Sequence, residues 1–193
     1  MNAHVTIELH QPPRAAVSKG ALSECSVSLD IDTVQRSVEG IQLTIEIANR
    51  GSKEIEILNP LDFLAAGLLI LDPAGRLMSL PPVPPRLLVN TRGPERNRLL
   101  LPFRLNFVEL GEKRLSDLEI NESSIRLPSH SHLRIGIRID RIVLPGSPGS
   151  ASREPVPIPP GEWRLEVSVI LVSAGNTAIS RTLRSPETTL TLE

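Results

Sequence analysis

Residues 41–49 read IQLTIEIAN, with Ile41, Leu43, Ile45 and Ile47 alternating with Gln42, Thr44 and Glu46. Successive side chains of an extended strand point to opposite faces, so this alternation sets one apolar face on a core and one polar face in water. The run stops at Asn49-Arg50-Gly51-Ser52, and Ile55 and Ile57 follow, so the pattern predicts a hairpin over 41–58.

The same period of two recurs along the chain. Val5, Ile7 and Leu9 alternate with Thr6 and Glu8, and Cys25, Val27, Leu29 and Ile31 alternate with Ser26, Ser28 and Asp30. Gly67–Leu71 is solidly apolar, and Asp72-Pro73-Ala74-Gly75 then predicts a turn from which Arg76–Leu80 returns antiparallel. Phe103, Leu105 and Phe107 alternate with Arg104 and Asn106. Ser116 and Glu119 have capping-box spacing, which predicts a short helical turn. Ile125 and Leu127 lead into the turn Pro128–Ser131, and Leu133, Ile135, Ile137 and Ile139 form another strand pattern. Residues 145–160, PGSPGSASREPVPIPP, are read as a long loop rather than a domain linker, because one strong hairpin from Trp163 to about Leu192 is all that follows.

Short strands separated by turn signals, with almost no helix, predict an all-β fold. The expectation is an antiparallel β-sandwich of about 8–10 strands with long Pro-rich loops, in one domain over 1–193. A chain of this length buries roughly 70% of its unfolded surface and needs no staples.

Composition narrows the function. The apolar residues are Leu, Ile and Val, with three Phe, one Trp and no Tyr, so few rings remain for sugars, bases or aromatic ligands. Cys25 is the only cysteine, which excludes an intramolecular disulfide and a thiolate metal cluster. The first thirty residues hold no apolar run of signal-peptide length and no later segment reaches the ~20 residues that span a bilayer. The expected location is therefore cytoplasmic. Net charge is −1, so no global pull toward nucleic acid or membrane exists. Arg86, Arg92, Arg96, Arg98 and Arg104 form a local basic excess against Glu95 alone, read as a solvated loop more readily than a phosphate patch.

Two groups of residues carry a resemblance. Gly161-Glu162-Trp163-Arg164-Leu165 enters a late strand after two prolines, and Leu43–Asn49 is followed later by Leu71-Asp72-Pro73-Ala74-Gly75-Arg76. Together these resemble bacterial immunoglobulin-like domains, intracellular proteinase-inhibitor-like domains among them. The resemblance implies an immunoglobulin-like sandwich in which Trp163 pins a strand corner and Leu165 takes the place of a core cysteine. It also implies protein binding, with protease inhibition as its sharpest form. The sequence departs from that pattern where LPPVPPRLL replaces an aromatic-rich segment.

Pro81, Pro82, Pro84, Pro85 and Arg86 match the PxxPx-basic spacing that polyproline-binding domains recognise, since a preformed polyproline II helix loses little entropy on docking. The plainer reading is a stiff crossover that shields a sheet edge. His130 and His132 lie on one side of an extended segment but lack a third ligand nearby, so no metal and no cofactor is expected. Cys25 shares the register of its apolar neighbours and is read as a core residue. No nucleophile elbow, zincin, phosphate-loop or dinucleotide pattern occurs, and no enzyme activity is expected. The leading expectation is a non-enzymatic protein-binding module acting through its loops, with Pro81, Pro82, Pro84, Pro85, Arg86, Arg92, Arg96 and Arg98 as contact residues. The alternative is a structural subunit that self-associates through edge strands, with 188–193 as one such edge. Neither nucleic acid nor membrane is expected as a partner.

Overall fold

The structure is a computed structural model, and it describes residues 21–31, 40–81, 101–144, 154–173 and 179–192. In chain order, a 3-10 turn Ala21–Glu24 leads into β1 (Cys25–Ile31), β2 (Ile41–Asn49), β3 (Ile55–Leu58), α1 (Leu61–Gly67), β4 (Leu68–Leu71) and β5 (Leu77–Met78). There follow β6 (Arg104–Leu110), β7 (Lys113–Arg114), α2 (Asp117–Ile120), β8 (Ser124–Leu127), β9 (Ser131–Ile139) and β10 (Arg141–Ile142). The chain ends with β11 (Val156–Pro157), β12 (Gly161–Val172), β13 (Ser180–Arg184) and β14 (Thr188–Leu192). All pairings are antiparallel, and the fold is an all-β sandwich.

The first sheet has the order β1-β2-β9-β6-β7. Its centre is the β2–β9 pair, in register from Ile41 opposite Ile139 to Asn49 opposite Ser131. Ile41, Leu43, Ile45 and Ile47 meet Leu133, Ile135, Ile137 and Ile139 on the inner face, and all eight are buried. Gln42, Thr44 and Glu46 face outward with Arg134 and Arg138, as the alternation predicts.

The second sheet is built on β12, with β13 and β14 on one flank and β4, then β5, on the other. The far end of β12 also meets β3 through an isolated bridge, Ile57 to Ser173. Thus β3, α1 and β4 follow one flank of β12, and α1 is a helical excursion packed against that strand. At its end Gly67 sits so near β12 that a Cβ there would run into the Ser168 carbonyl oxygen, so no side chain fits. Residues of both sheets join one hydrophobic core, with Trp163, Leu165, Val167, Val169 and Leu171 as the contribution of β12.

Two sequence expectations require correction. Segment 41–58 is not a hairpin: β2 pairs with β1 and β9, whereas β3 pairs with β8. Asn49 is buried where the chain leaves the first sheet. Its side-chain amide donates to the carbonyls of Lys53, Leu127 and Pro128, and its oxygen accepts the Gly51 amide. One side chain therefore ties the β2–β3 crossover to the β8–β9 crossover, and both carry the chain between sheets.

The second correction concerns β6. A bulge between Leu105 and Phe107 shifts its register, so Val108 is buried and Phe107 turns to the outer face. There the Phe107 ring occupies the space that a side chain at Gly136 would need, with the Arg134 guanidinium 5.7 Å from its centroid.

The capping box forms as the spacing predicts. Ser116 accepts from the Glu119 amide, and the Glu119 carboxylate accepts from the Ser116 amide and hydroxyl. Its hydrogen bond from Lys113, helped by these two, brings the Glu119 carboxyl down to about 2. Trp163 is buried, and its indole N–H donates to the Pro159 carbonyl at 3.0 Å, which pins the entry to β12 as a corner residue should.

Candidate functional site

Of the contact residues expected from the sequence, only Pro81 is described, half-buried just beyond β5; Pro82, Pro84, Pro85, Arg86, Arg92, Arg96 and Arg98 lie outside the described residues. The stems of the two long loops do come together. Ser79 and Val143 exchange backbone hydrogen bonds of 3.2 and 2.7 Å. Leu77 and Leu144 are exposed beside them, at 54% and 42%. Arg104, last of the basic excess, pairs with Asp140 at 2.6 Å, and Asp140 also binds Arg138.

His130 and His132 border an open concavity of ≈ 240 Å³ with Glu46, Ala48, Asn49, Arg50 and Ser131. His130 has φ 53°, a left-handed conformation that closes the turn before β9. Among the described residues no group of three or more His, Cys, Asp or Glu could hold a metal ion. Cys25 is buried, and desolvation pushes its thiol above the ordinary value, against the lowering pull of Arg181.

What remains distinctive is the contrast among the sheet edges. An edge strand presents unpaired amides and carbonyls that invite another strand, and folded proteins protect such edges with bulges, proline, charge or brevity. The β13–β14 edge carries several of these devices. β13 pairs Arg184 with Ser168, and β14 pairs Thr188 with Leu165, so Ser185, Pro186 and Glu187 oppose only Val167 and Glu166. At this bulge the Ser185 hydroxyl accepts the Val167 amide at 3.0 Å while the Ser185 amide donates to the Val167 carbonyl at 2.9 Å. Pro186 has no amide to offer, and Arg181 and Arg184 bring charge to the edge.

The β6–β7 edge is covered differently. Gly111, at φ 60°, turns the chain back, and Arg114 donates to the outward carbonyl of Asn106 at 2.7 Å. The Leu115 amide takes the carbonyl of Val108 at 2.8 Å. β5 is two residues long and continues into the Ser79–Val143 bridge, while β8 is four residues long. The Asp72 turn that precedes β5 is internally bonded: its carboxylate accepts from the Ala74 amide and from the Arg76 amide and guanidinium. Burial works to raise the Asp72 carboxyl, but these Arg76 and Ala74 bonds hold it below its ordinary value.

β1 has neither bulge nor proline, and its one charge is Asp30 near its C-terminal end. It is seven residues of unbroken strand, CSVSLDI, without lysine or arginine. Its register with β2 runs uninterrupted from Cys25–Asn49 to Ile31–Leu43. The Arg50 amide donates to the Glu24 carbonyl at 3.0 Å, one step outside that register, and this sets the hydrogen-bond phase. Ser26, Ser28 and Asp30 bond to β2, whereas the amides and carbonyls of Val27 and Leu29 point away from it. Among the described residues no strand lies beyond β1. Only the Cys25 end is capped, by the Arg181 guanidinium at 3.5 Å from the Cys25 carbonyl and 2.7 Å from that of Leu22. The sequence did identify 188–193 as lying on an edge, and that edge proves to be a protected one.

No family model matches the chain, and no curated protein matches it. Among solved structures it is similar to the CooA pilin subunit from enterotoxigenic Escherichia coli, at 12% identity and a TM-score of 0.35, over 87% of this chain and 99% of that one. A superposition that loose assigns no residue a role. The resemblance read from Trp163 and the Asp72 turn holds at the level of an all-β sandwich. No helix among the described residues is long and apolar enough to cross a membrane.

Proposed function

We propose that this chain is a non-enzymatic association module that accepts a strand from another protein along β1. The observation that carries the reading is the unbulged, proline-free β1, open at Val27 and Leu29, in a molecule whose other described edges are bulged, capped or short. Strand addition needs only an open backbone row for affinity and alternate side chains for specificity. Val27 and Leu29, half-buried at the margin of the core, would receive the apolar side chains of an incoming strand.

A second reading keeps the loops as the contact surface, favoured by the Ser79–Val143 bond that joins their stems and by exposed Leu77 and Leu144. One experiment separates the two. Three baits are compared in capture from the lysate of the source organism: wild type, Val27→Pro, and a version with residues 79–86 replaced by a Gly/Ser linker of equal length. Val27→Pro removes an outward amide and leaves the β2 ladder intact. Captured protein, this chain included, that is lost with Val27→Pro and retained with the loop replacement supports the edge. The opposite pattern sinks it in favour of the loops.

A further inference from the structure

We infer that the strand β1 receives is β1 of a second copy, paired antiparallel about a two-fold axis at Ser28. This rests on the association reading above and adds the partner and the register. Pairing about this axis sets Val27 opposite Leu29 of the copy, while Cys25 comes opposite Ile31 of the copy at the end where Arg181 already reaches the Cys25 carbonyl at 3.5 Å, so the central Val27–Leu29 pairs carry the seam. Residues with outward backbone groups then meet only residues with outward backbone groups, so each Val27–Leu29 pair exchanges two hydrogen bonds. The inner-face side chains of Val27 and Leu29, only half-buried, cover one another across the seam. On the outer face Ser28 meets Ser28, and Asp30, the one charged residue of the strand, meets Ser26. Shifting the axis to residue 30 would set Asp30 against Asp30, and like charges directly opposite are unfavourable. Glu24 does not intrude, because its carboxylate is folded over Gly51.

The strand is thus complementary to itself, which is what an isologous two-fold interface requires, and such dimers are the commonest oligomers. The two five-stranded sheets would join into one continuous sheet, with Arg181 of each β13 flanking the seam at its Cys25 ends.

The register makes a sharp chemical forecast. Residues on the axis form a non-hydrogen-bonded pair with Cα atoms about 4.5 Å apart, within disulfide range. Ser26 and its counterpart are offset by four residues, roughly 13 Å along the strands, well beyond that range. Each of Ser28→Cys and Ser26→Cys is made in the full chain with Cys25→Ala; Ser28 is exposed and Ser26 half-exposed, so neither change enters the core. Under mild oxidation the Ser28→Cys protein is expected to form covalent dimer at least about tenfold faster than the Ser26→Cys protein. Light scattering is run in parallel on wild type and Val27→Pro over a concentration series. Equal crosslinking at both positions, or none at either, overturns the inference. If mass above the monomer is lost with Val27→Pro while Ser28→Cys fails to crosslink, the register is wrong but edge association stands. A wild type that stays monomeric and uncrosslinked removes the second copy as partner, and the lysate comparison then decides the edge reading on foreign strands alone.

Discussion

Two edges of this sandwich run near one another, bridged by Arg181, yet they are built to opposite ends. β14, TTLTL, and β1, CSVSLDI, share an alternation of small polar and aliphatic residues, whereas β13, SRTLR, adds two arginines. The β13–β14 edge differs from β1 by that charge and by a single inserted residue at Ser185–Glu187, with Pro186 in its middle. The lesson is that alternation alone does not decide whether an edge is open. What decides is where the outward amides fall and whether something interrupts their row.

The sharpest way to break this comparison is to place proline at adjacent positions of β1. Ser28→Pro removes an amide bonded to β2 and drives its ring into the ladder, so a loss of about 2–3 kcal/mol is expected. Val27→Pro removes an outward amide, and a loss of under ~1 kcal/mol is expected. Urea denaturation of the two variants checks the parity, and equal losses would show that the phase assigned to β1 is wrong.

A smaller effect tests the protected edge. Ser185→Ala strips the Val167 amide of its acceptor inside the β12 seam, and should cost about 1–2 kcal/mol. The same titration reads it, and a change within error would mean that the bulge does not depend on the hydroxyl.

The smallest effect concerns the turn that leads into the short β5 edge. Because the Asp72 carboxyl is held below its ordinary value, it stabilises the fold fully above the ordinary carboxylate value near ~4. That contribution is lost as pH falls through the depressed value. Thermal unfolding from pH 7 to pH 3 should therefore fall less steeply for Asp72→Asn, starting from a lower plateau. Parallel curves for variant and wild type would remove Asp72 from the account.

Much of this architecture was legible in residue order alone. The strands at 25–31, 41–49 and 131–139 announced themselves because each has one buried and one wet face, and that asymmetry is written directly as alternation. Partnership was less legible. The local pattern at 41–58 suits a hairpin, whereas the bonds that hold the crossover reach from Asn49 to Leu127 and Pro128, and no local pattern encodes them. Helix α1 escaped notice because Leu61, Leu64 and Leu68 sit in an apolar run that also suits a strand. Alternation places Phe107 inward with its neighbours, but the bulge and the open seat above Gly136 turn it outward. The candidate edge was legible as a strand and not as an edge, since edge status belongs to the strand order and not to the strand.

Asn49 has a consequence for how the chain reaches this structure. Its side chain joins points 78 and 79 residues apart, and closing so long a loop costs entropy before any contact returns it. Both crossovers end on the same amide, so neither can settle without the other. A state in which one sheet is finished while the other is still searching therefore lacks these bonds at that end. Because these bonds close only when both crossovers are in place, Asn49→Ala should speed unfolding more than it slows refolding.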